Sequence, residues 1–414
     1  MRYRQRSDIR PRECGFTLTE LLVALVISAL AALAIDGAFT SLSSVTTQTH
    51  AQDNAWQQAR TAMTMLTQAI EQAGYGLPMN ECGGGIYTNV PTSSSGVQYT
   101  VSAPGPSSGL FMTPVAATPQ TTSSPYYYSP TGINTYAITT VTGGSVFGSA
   151  PVTTITGTSG SSLTSVDFNV ANKTFLHAND LFLIALPNSS CLLGQITNAG
   201  GKGTGNIVAQ SGTSDFNASG GFSATDPAIT TSQLINRGVV DLGSGGFSIK
   251  NFFISDGVGA QAGTQVPSLY MQTYSSLNNT STPNKTSNGP PPVLLVARGI
   301  IDMQVAFGYG QNGVVTQYVL PSSTPPSGMT AADLLTVQIT LLVRSTRYTP
   351  GHYAGATKTV WNGTSNPNLP AVVYAIPTNL PAGQNMGCVQ GNCNQYLYRT
   401  FTSVIPIRND IWGQ

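Results

Sequence analysis

Gly15, Phe16 and Glu20 lie at the start of an apolar run, and their spacing indicates cleavage of a chain that keeps its hydrophobic segment. A secretory signal peptide has its small-residue cleavage site after the hydrophobic core, whereas Gly15 precedes the apolar residues 21–27. Cleavage after Gly15 would therefore leave that segment on the mature protein. A carboxylate inside an apolar helix is costly unless it is paired, so Glu20 is a candidate for a functional role.

The stretch from Gly15 to Glu20 resembles the class III leader of type IV pilins and type II secretion pseudopilins. The resemblance implies that a prepilin peptidase cuts between Gly15 and Phe16 and methylates the new amine of Phe16. It also implies a role for Glu20 in subunit assembly, where its carboxylate meets the Phe16 amine of a neighbouring subunit, an attraction that burial among packed helices would strengthen. The alternative is that Glu20 only marks the headgroup boundary.

The residues around this motif predict a leader, an anchor and an orientation. The leader, residues 1–15, carries five arginines against two carboxylates, which retains this end in the cytoplasm. Residues 16–39 contain only Glu20 and Asp36 as charged residues. About 24 residues at about 1.5 Å each reach about 36 Å, enough to span a hydrocarbon core of about 30 Å. We therefore expect a transmembrane helix, with Gly37 permitting local melting.

Residues 40–76 predict an amphipathic continuation of the same helix. One apolar stripe recurs at spacings of three and four and is expected to cover a sheet: Trp56, Ala59, Met63, Leu66 and Ile70. Gly74, Gly76 and Pro78 predict the end of the helix.

The remainder, residues 77–414, has the composition of a β-rich extracytoplasmic domain. The chain of 414 residues has 8% charged and 40% hydrophobic residues, with 44 Gly and 26 Pro. Its net charge of +1 includes +3 from the leader, five Arg minus Asp8 and Glu13, so the mature side chains carry −2. This charge gives no electrostatic basis for binding nucleic acid.

Alternating residues predict sheet strands in the second half of the chain. Residues 336–343 and 303–309 each predict a strand with one buried face, residues 180–186 a central strand, and residues 396–407 a closing strand. Ser, Thr, Gly and Pro predict loops at 91–130, 198–226 and 272–292, the last a mobile loop between strands of one sheet. The predicted fold class is α+β: a long N-terminal helix packed on a mainly antiparallel sheet domain.

The cysteines predict disulfides in an oxidising compartment. Cys14 would leave with the leader, and Cys82, Cys191, Cys388 and Cys393 remain as an even set. Disulfides are favoured over zinc because the set has one short pair and no nearby histidine. Cys388 and Cys393 enclose a turn containing Gly391, so we pair them with each other, which leaves Cys82 with Cys191 by elimination.

Catalytic motifs are weak, and the sequence predicts no enzyme, cofactor or metal site. Residues 105–109 satisfy G-x-S-x-G, but they are flanked by loop residues rather than by a strand and a helix. Residues 200–205 are similar to a phosphate-binding loop, yet Lys202 is followed by Gly203 instead of Ser or Thr. Carboxylates are too sparse to propose a calcium loop or an acid/base pair.

Three later stretches narrow the resemblance to PilW-type minor pilins. Met65 and Leu66, followed by residues 71–76 and Cys82, resemble the helix exit of that family, and residues 334–345 and 398–409 resemble its late and terminal strands. The inserts at 83–170 and 198–290 match no pattern of the family.

The resemblance implies a minor pilin that is inserted by its N-terminal helix to prime or join pilus assembly near the tip. Its partners would be the prepilin peptidase, other minor and major pilins, the inner-membrane assembly platform and a tip adhesin. It would stay in the bacterial inner membrane, with its C-terminal domain periplasmic, and move to the pilus or cell surface on assembly. The alternatives are a pseudopilin of a type II secretion system and an adhesin whose inserts bind a ligand.

Overall fold

The structure is a computed structural model, and it describes the long N-terminal helix and the strands of a β-rich domain. The described residues are 17–77, 86–88, 110–112, 114–120, 135–143, 152–159, 165–186, 191–199, 206–210, 217, 230–244, 247–256, 265–275, 293–321, 326–329, 333–349, 353–361, 369–378, 380 and 386–407. The chain divides into two compact units, Met1–Ala51 and Gln52–Gln414.

Helix α1 runs from Leu18 to Glu71 and passes through Gly37 without a break. After Glu71 the chain leaves the helical ladder, because the N–H of Ala73 reaches back three residues to Ile70 and the N–H of Gly74 bonds to Val141 instead. Gly74 adopts a φ of 76°, a left-handed conformation that glycine tolerates at helix ends. The helix therefore ends five residues before the predicted boundary at residue 76, and the glycines form the turn that follows.

Nineteen strands and two short helical segments follow among the described residues. The first strands are β1 (Ile86–Thr88), β2 (Leu110–Met112), β3 (Val115–Pro119), β4 (Tyr136–Thr142), β5 (Val152–Ser159), β6 (Ser165–Val170), β7 (Leu181–Ala185), β8 (Cys191–Gln195) and β9 (Asn206–Gln210). The others are β10 (Gly238–Gly243), β11 (Ser248–Ser255), β12 (Ser268–Ser275), β13 (Val293–Arg298), β14 (Ile300–Gln311), β15 (Val314–Val319), β16 (Leu334–Arg344), β17 (Thr357–Trp361), β18 (Val372–Ala375) and β19 (Tyr398–Pro406). The helical segments are α2 (Thr231–Leu234) and a 3-10 turn, Val389–Gly391.

These strands form four sheets in the described part of the chain. The largest has eight strands in the order β2-β1-β8-β7-β10-β5-β6-β9, and the next has five in the order β13-β12-β11-β4-β3. A four-stranded sheet follows the order β15-β14-β16-β19, and β17 pairs with β18. All the described pairs are antiparallel except β1 with β8. The predicted α+β class is confirmed.

Alanines form most of the buried face of α1 in the second unit, together with Leu66 and Ile70. The buried residues of this face are Ala55, Ala59, Ala62, Leu66, Ala69 and Ile70. They share one core with Met303, Val305, Val337 and Ile339 of the four-stranded sheet. A methyl side chain lets the helix approach the sheet closely. Trp56 lies outside this face and is 43% exposed. The predicted stripe is confirmed for Ala59, Leu66 and Ile70, Met63 is only partly buried, and the prediction was wrong for Trp56.

Strands β14 and β16 are buried on both faces over most of their length, which corrects the prediction of one buried face. Every residue of β14 except Gln311 is buried, and in β16 burial is continuous from Ile339 to Arg344. The second face is covered by residues of the β17–β18 hairpin, including Tyr374, whose ring lies 6.1 Å from that of Tyr398. A covering hairpin follows these strands in sequence, so the alternation within each strand could not reveal it.

The predicted central and closing strands are present, whereas the predicted loops contain additional strands. Strand β7 lies inside the eight-stranded sheet as a central strand, and β19 closes the four-stranded sheet at its edge. The predicted loops were wrong in part, because 91–130 contains β2 and β3, 198–226 contains β9, and 272–292 begins inside β12. Strands β12 and β13 do pair within one sheet, as predicted for the strands around the third loop. Residues 276–292 of that loop lie outside the described residues.

Candidate functional site

The first turn of α1 is closed by reciprocal hydrogen bonds between Thr17 and Glu20. The N–H and the hydroxyl of Thr17 donate to Oε2 of Glu20 at 3.1 and 3.0 Å, and the N–H of Glu20 donates to Oγ1 of Thr17 at 3.3 Å. This is a capping box, in which a threonine before the helix and a glutamate three residues later satisfy each other's backbone donors. The Thr-x-x-Glu spacing in the sequence indicates a capping box, but a capping box was not among the predictions made from the sequence.

The capping geometry occupies one carboxylate oxygen of Glu20 and leaves the other open. All the recorded bonds use Oε2, and Oε1 accepts no hydrogen bond from any described residue. Glu20 is exposed on the helix surface. The arrangement can therefore accept one further donor at Oε1 without breaking the cap. Gly15 and Phe16, the predicted cleavage and methylation residues, lie outside the described residues.

The first unit carries a helix long and apolar enough to cross a membrane. Its large apolar side chains are exposed, including Leu21 at 62%, Ile27 at 61% and Leu33 at 70%. The hydroxyls within this segment are satisfied by carbonyls one turn earlier: Ser28 donates to Ala24, and Thr40 donates to Asp36 at 3.1 Å. A helix with satisfied backbone and side-chain donors and an apolar surface is compatible with a hydrocarbon environment.

The three described cysteines of the second unit are disulfide-bonded. Cys388 and Cys393 form a disulfide on either side of the 3-10 turn, with Gly391 at a φ of 71°. Cys191, at the start of β8, is also disulfide-bonded. Cys82, its predicted partner, lies outside the described residues.

Three ionisable groups, His177, Asp180 and Asp241, meet near the start of β7. Asp180 accepts a bond from the N–H of His177 at 2.7 Å, and the ring Nδ1 of His177 lies 3.2 Å from the same carboxylate. Burial raises the pKa of Asp180, opposed by the bonds from His177, and burial raises the pKa of Asp241 to about 6. Within the described residues, no group of three or more His, Cys, Asp or Glu side chains could hold a metal ion.

The catalytic-like motifs of the sequence cannot be located in the structure. Residues 105–109 and 200–205, with the G-x-S-x-G match and the glycine-rich stretch, both lie outside the described residues. His50 lies on α1, and His352 is also outside the described residues.

Comparisons with known proteins match both ends of this chain. A family described as Type IV Pilus-assembly protein W matches residues 251–409, and the Prokaryotic N-terminal methylation motif matches residues 10–35. No curated protein matches the chain. A solved structure, a type IV-like pilin from Thermus thermophilus, is 12% identical, with a TM-score of 0.21, over 39% of this chain and 68% of its own.

The matched regions cover defined parts of the fold. The methylation motif includes the capping box and the first part of α1, and the Type IV Pilus-assembly protein W match begins inside β11 and includes β12 to β19. The eight-stranded sheet, from β1 to β10, lies wholly outside both matches. The chain therefore combines a segment similar to the N-terminal methylation motif and a segment similar to Type IV Pilus-assembly protein W with a large additional sheet.

Proposed function

We propose that this type IV pilin-like chain is a minor pilin, cut after Gly15, methylated at Phe16 and inserted into a pilus or an initiating complex through α1. The leader arginines hold the N-terminus in the cytoplasm before cleavage, so the β-rich domain is periplasmic. The peptidase acts in trans, and this chain is its substrate.

The open oxygen of Glu20 carries the assembly role. In a pilus, the Phe16 amine of a neighbouring subunit approaches this carboxylate between packed helices, where the low dielectric strengthens a charged contact. Because Thr17 occupies only Oε2, the neighbour's amine can bind at Oε1 while the helix cap persists. Glu20 then sets the axial position of one subunit against the next, and the capping box fixes the direction of its carboxylate.

The proposal that the chain is a minor pilin also implies its partners. They are the prepilin peptidase, other minor and major pilins, the inner-membrane assembly platform and a tip adhesin. A pseudopilin of a type II secretion system shares the N-terminal motif, but the match to Type IV Pilus-assembly protein W favours the pilus.

Intact mass of the full chain extracted from producing membranes tests the processing step. We expect the wild-type protein to begin at Phe16 and to carry one added methyl group. Gly15→Val should retain the leader, because a branched side chain blocks access to the scissile bond, whereas Glu13→Gln, two residues earlier, should be processed normally. A wild-type N-terminus at Met1 would disprove the proposal.

A further inference from the structure

Strand β19 lies at the edge of the four-stranded sheet, and no described strand pairs with its outer side. Its nine residues pair one-to-one with β16 without a register shift. Pairing of the edge strands β13 and β15 is interrupted by a register shift in each case. Bulges of this kind protect sheet edges from pairing with other chains. Among the described residues, β19 thus offers the longest uninterrupted template for another strand.

The hydrogen bonds at the end of β19 identify which amides point outward. Ile407 donates its N–H to the carbonyl of Leu335, on the side of β16. Since the direction alternates along an antiparallel strand, the N–H groups of Thr400, Thr402 and Val404 point away from the sheet. None of these backbone N–H groups bonds to another described residue. Three successive outward donors form a row that an extended chain can bind.

Aromatic and cationic side chains border this edge. The ring of Trp56 on α1 lies edge-on to Phe401 of β19, with centroids 4.8 Å apart, and the guanidinium of Arg60 lies 5.7 Å from the Trp56 ring. Trp56 is 43% exposed, and Arg399 is exposed on β19. Tryptophan and arginine are enriched in the energetically dominant positions of protein interfaces.

The charges of this border fit an acidic occupant. Neither Arg60 nor Arg399 forms an ion pair with a described residue. Among the described side chains, the only ion pair is that of His177 with Asp180. Asp53, one turn before Trp56, contributes one negative charge against these two positive charges. Two copies of this chain joined edge to edge would bring like charges together and would form a closed dimer, which cannot continue a filament.

We infer that β19 binds an extended acidic segment of a different subunit, which adds to the four-stranded sheet as a further strand. Main-chain hydrogen bonds to Thr400, Thr402 and Val404 supply the affinity, and Trp56, Arg60 and Arg399 select the side chains. This inference rests on the proposed function, because the partner is taken to be another subunit of the same assembly.

A photo-crosslinking residue in place of Thr400, in the full chain in producing cells, tests the edge directly. We expect an adduct whose partner peptide, read by mass spectrometry, contains Asp or Glu and comes from another subunit. Val404→Pro removes an outward N–H and should reduce the adduct by about tenfold or more, whereas Val404→Thr keeps the N–H and should preserve it. An adduct unaffected by Val404→Pro, or one formed with a second copy of this chain, would overturn the inference.

Amide hydrogen exchange of the wild-type chain gives a second test that needs no variant. The amides of Thr400, Thr402 and Val404 should exchange about tenfold or more slowly in the assembled protein than in the detergent-extracted monomer. Equal rates would refute strand addition. Membrane and sheared-filament fractions are analysed separately, so a chain absent from filaments contradicts the proposed function, while an unprotected edge in both fractions contradicts only this inference.

Discussion

Nη1 of Arg344 lies 2.6 Å from Sγ of Cys388 and 3.4 Å from Sγ of Cys393, so a fully buried guanidinium donates to both sulfurs of the disulfide. Nη2 donates to the carbonyl of Met386 at 2.8 Å, and the guanidinium stacks on Tyr396 with its carbon 4.7 Å from the ring centroid. No described carboxylate pairs with this cation. Arg344 therefore joins the end of β16 to the disulfide turn chiefly through packing and neutral acceptors.

Two substitutions of Arg344 distinguish how much its packing and its charge each contribute to the free energy of unfolding. Arg344→Ala should lower the free energy of unfolding by about 3 kcal/mol, because it leaves a cavity under Tyr396 and an unsatisfied carbonyl at Met386. Arg344→Met retains most of the volume and removes an unpaired buried charge, so its loss should be about 1 kcal/mol or less. Urea unfolding of the full chain in detergent measures both. Equal losses would show that the hydrogen bonds, and not the packing, stabilise this turn.

The carboxyl of Asp302 predicts a pH dependence of stability. Burial raises its pKa from 3.8 to about 6, opposed by two hydrogen bonds from Nε2 of Gln304 at 3.0 Å. The folded state therefore binds more protons than the unfolded state between these values. Stability should decrease by about 3 kcal/mol as pH rises from about 4 to above 6, and it should stay lower at higher pH.

Asp302→Asn should remove this contribution to the pH dependence, because the amide has no proton to lose. Thermal unfolding of both proteins between pH 4 and pH 8 should give a smaller decrease for the variant, with Asp241 contributing a decrease of the same sign to both. If the two proteins lose stability in parallel, Asp302 is not the group that titrates.

The alanine face of α1 predicts intolerance of larger residues. Ala59 is fully buried in the core shared with β14 and β16. Ala59→Leu should destabilise the domain by about 1 to 3 kcal/mol, because the added carbons must displace either the helix or the sheet. Gln57→Leu, exposed on the same helix, is the matched control and should change stability by less than about 0.5 kcal/mol. A tolerated Ala59→Leu would mean that the helix is loosely packed here.

Local patterns in the sequence predicted the helix and the main strands, and they failed where distant contacts decide the structure. Val337 and Ile339 alternate with polar residues, so β16 was readable from its own composition. The alanine face of α1 was missed except for Ala59, because alanine gives a weak hydrophobic signal, while Trp56 gives a strong one and lies outside the core. Strand β1 is three residues long and pairs with β8 more than one hundred residues later, which no local pattern encodes.

The candidate functional residues show the same difference between features encoded locally in the sequence and features that depend on distant contacts. Glu20 was identified by its carboxylate in an apolar run, a signal contained in the sequence alone. Its bond to Thr17 could have been read from the Thr-x-x-Glu spacing. The sequence also predicted a closing strand at β19, but not its uninterrupted register, which depends on its pairing with β16 in the assembled sheet.

The capping box allows the two roles of Glu20 to be separated. Thr17→Val removes the hydroxyl that bonds to Glu20 but keeps the carboxylate and the N–H of residue 17. Glu20→Ala removes both the cap and the acceptor for a neighbour's amine. If capture of the Phe16 amine is what matters, Thr17→Val should enter filaments almost normally, and Glu20→Ala should be processed and retained in the membrane but depleted from filaments. An antibody to the β-rich domain, applied to sheared filaments and to the membrane fraction, measures the ratio. Equal depletion of both variants would mean that Glu20 acts by capping its own helix, and normal incorporation of Glu20→Ala would exclude it from assembly altogether.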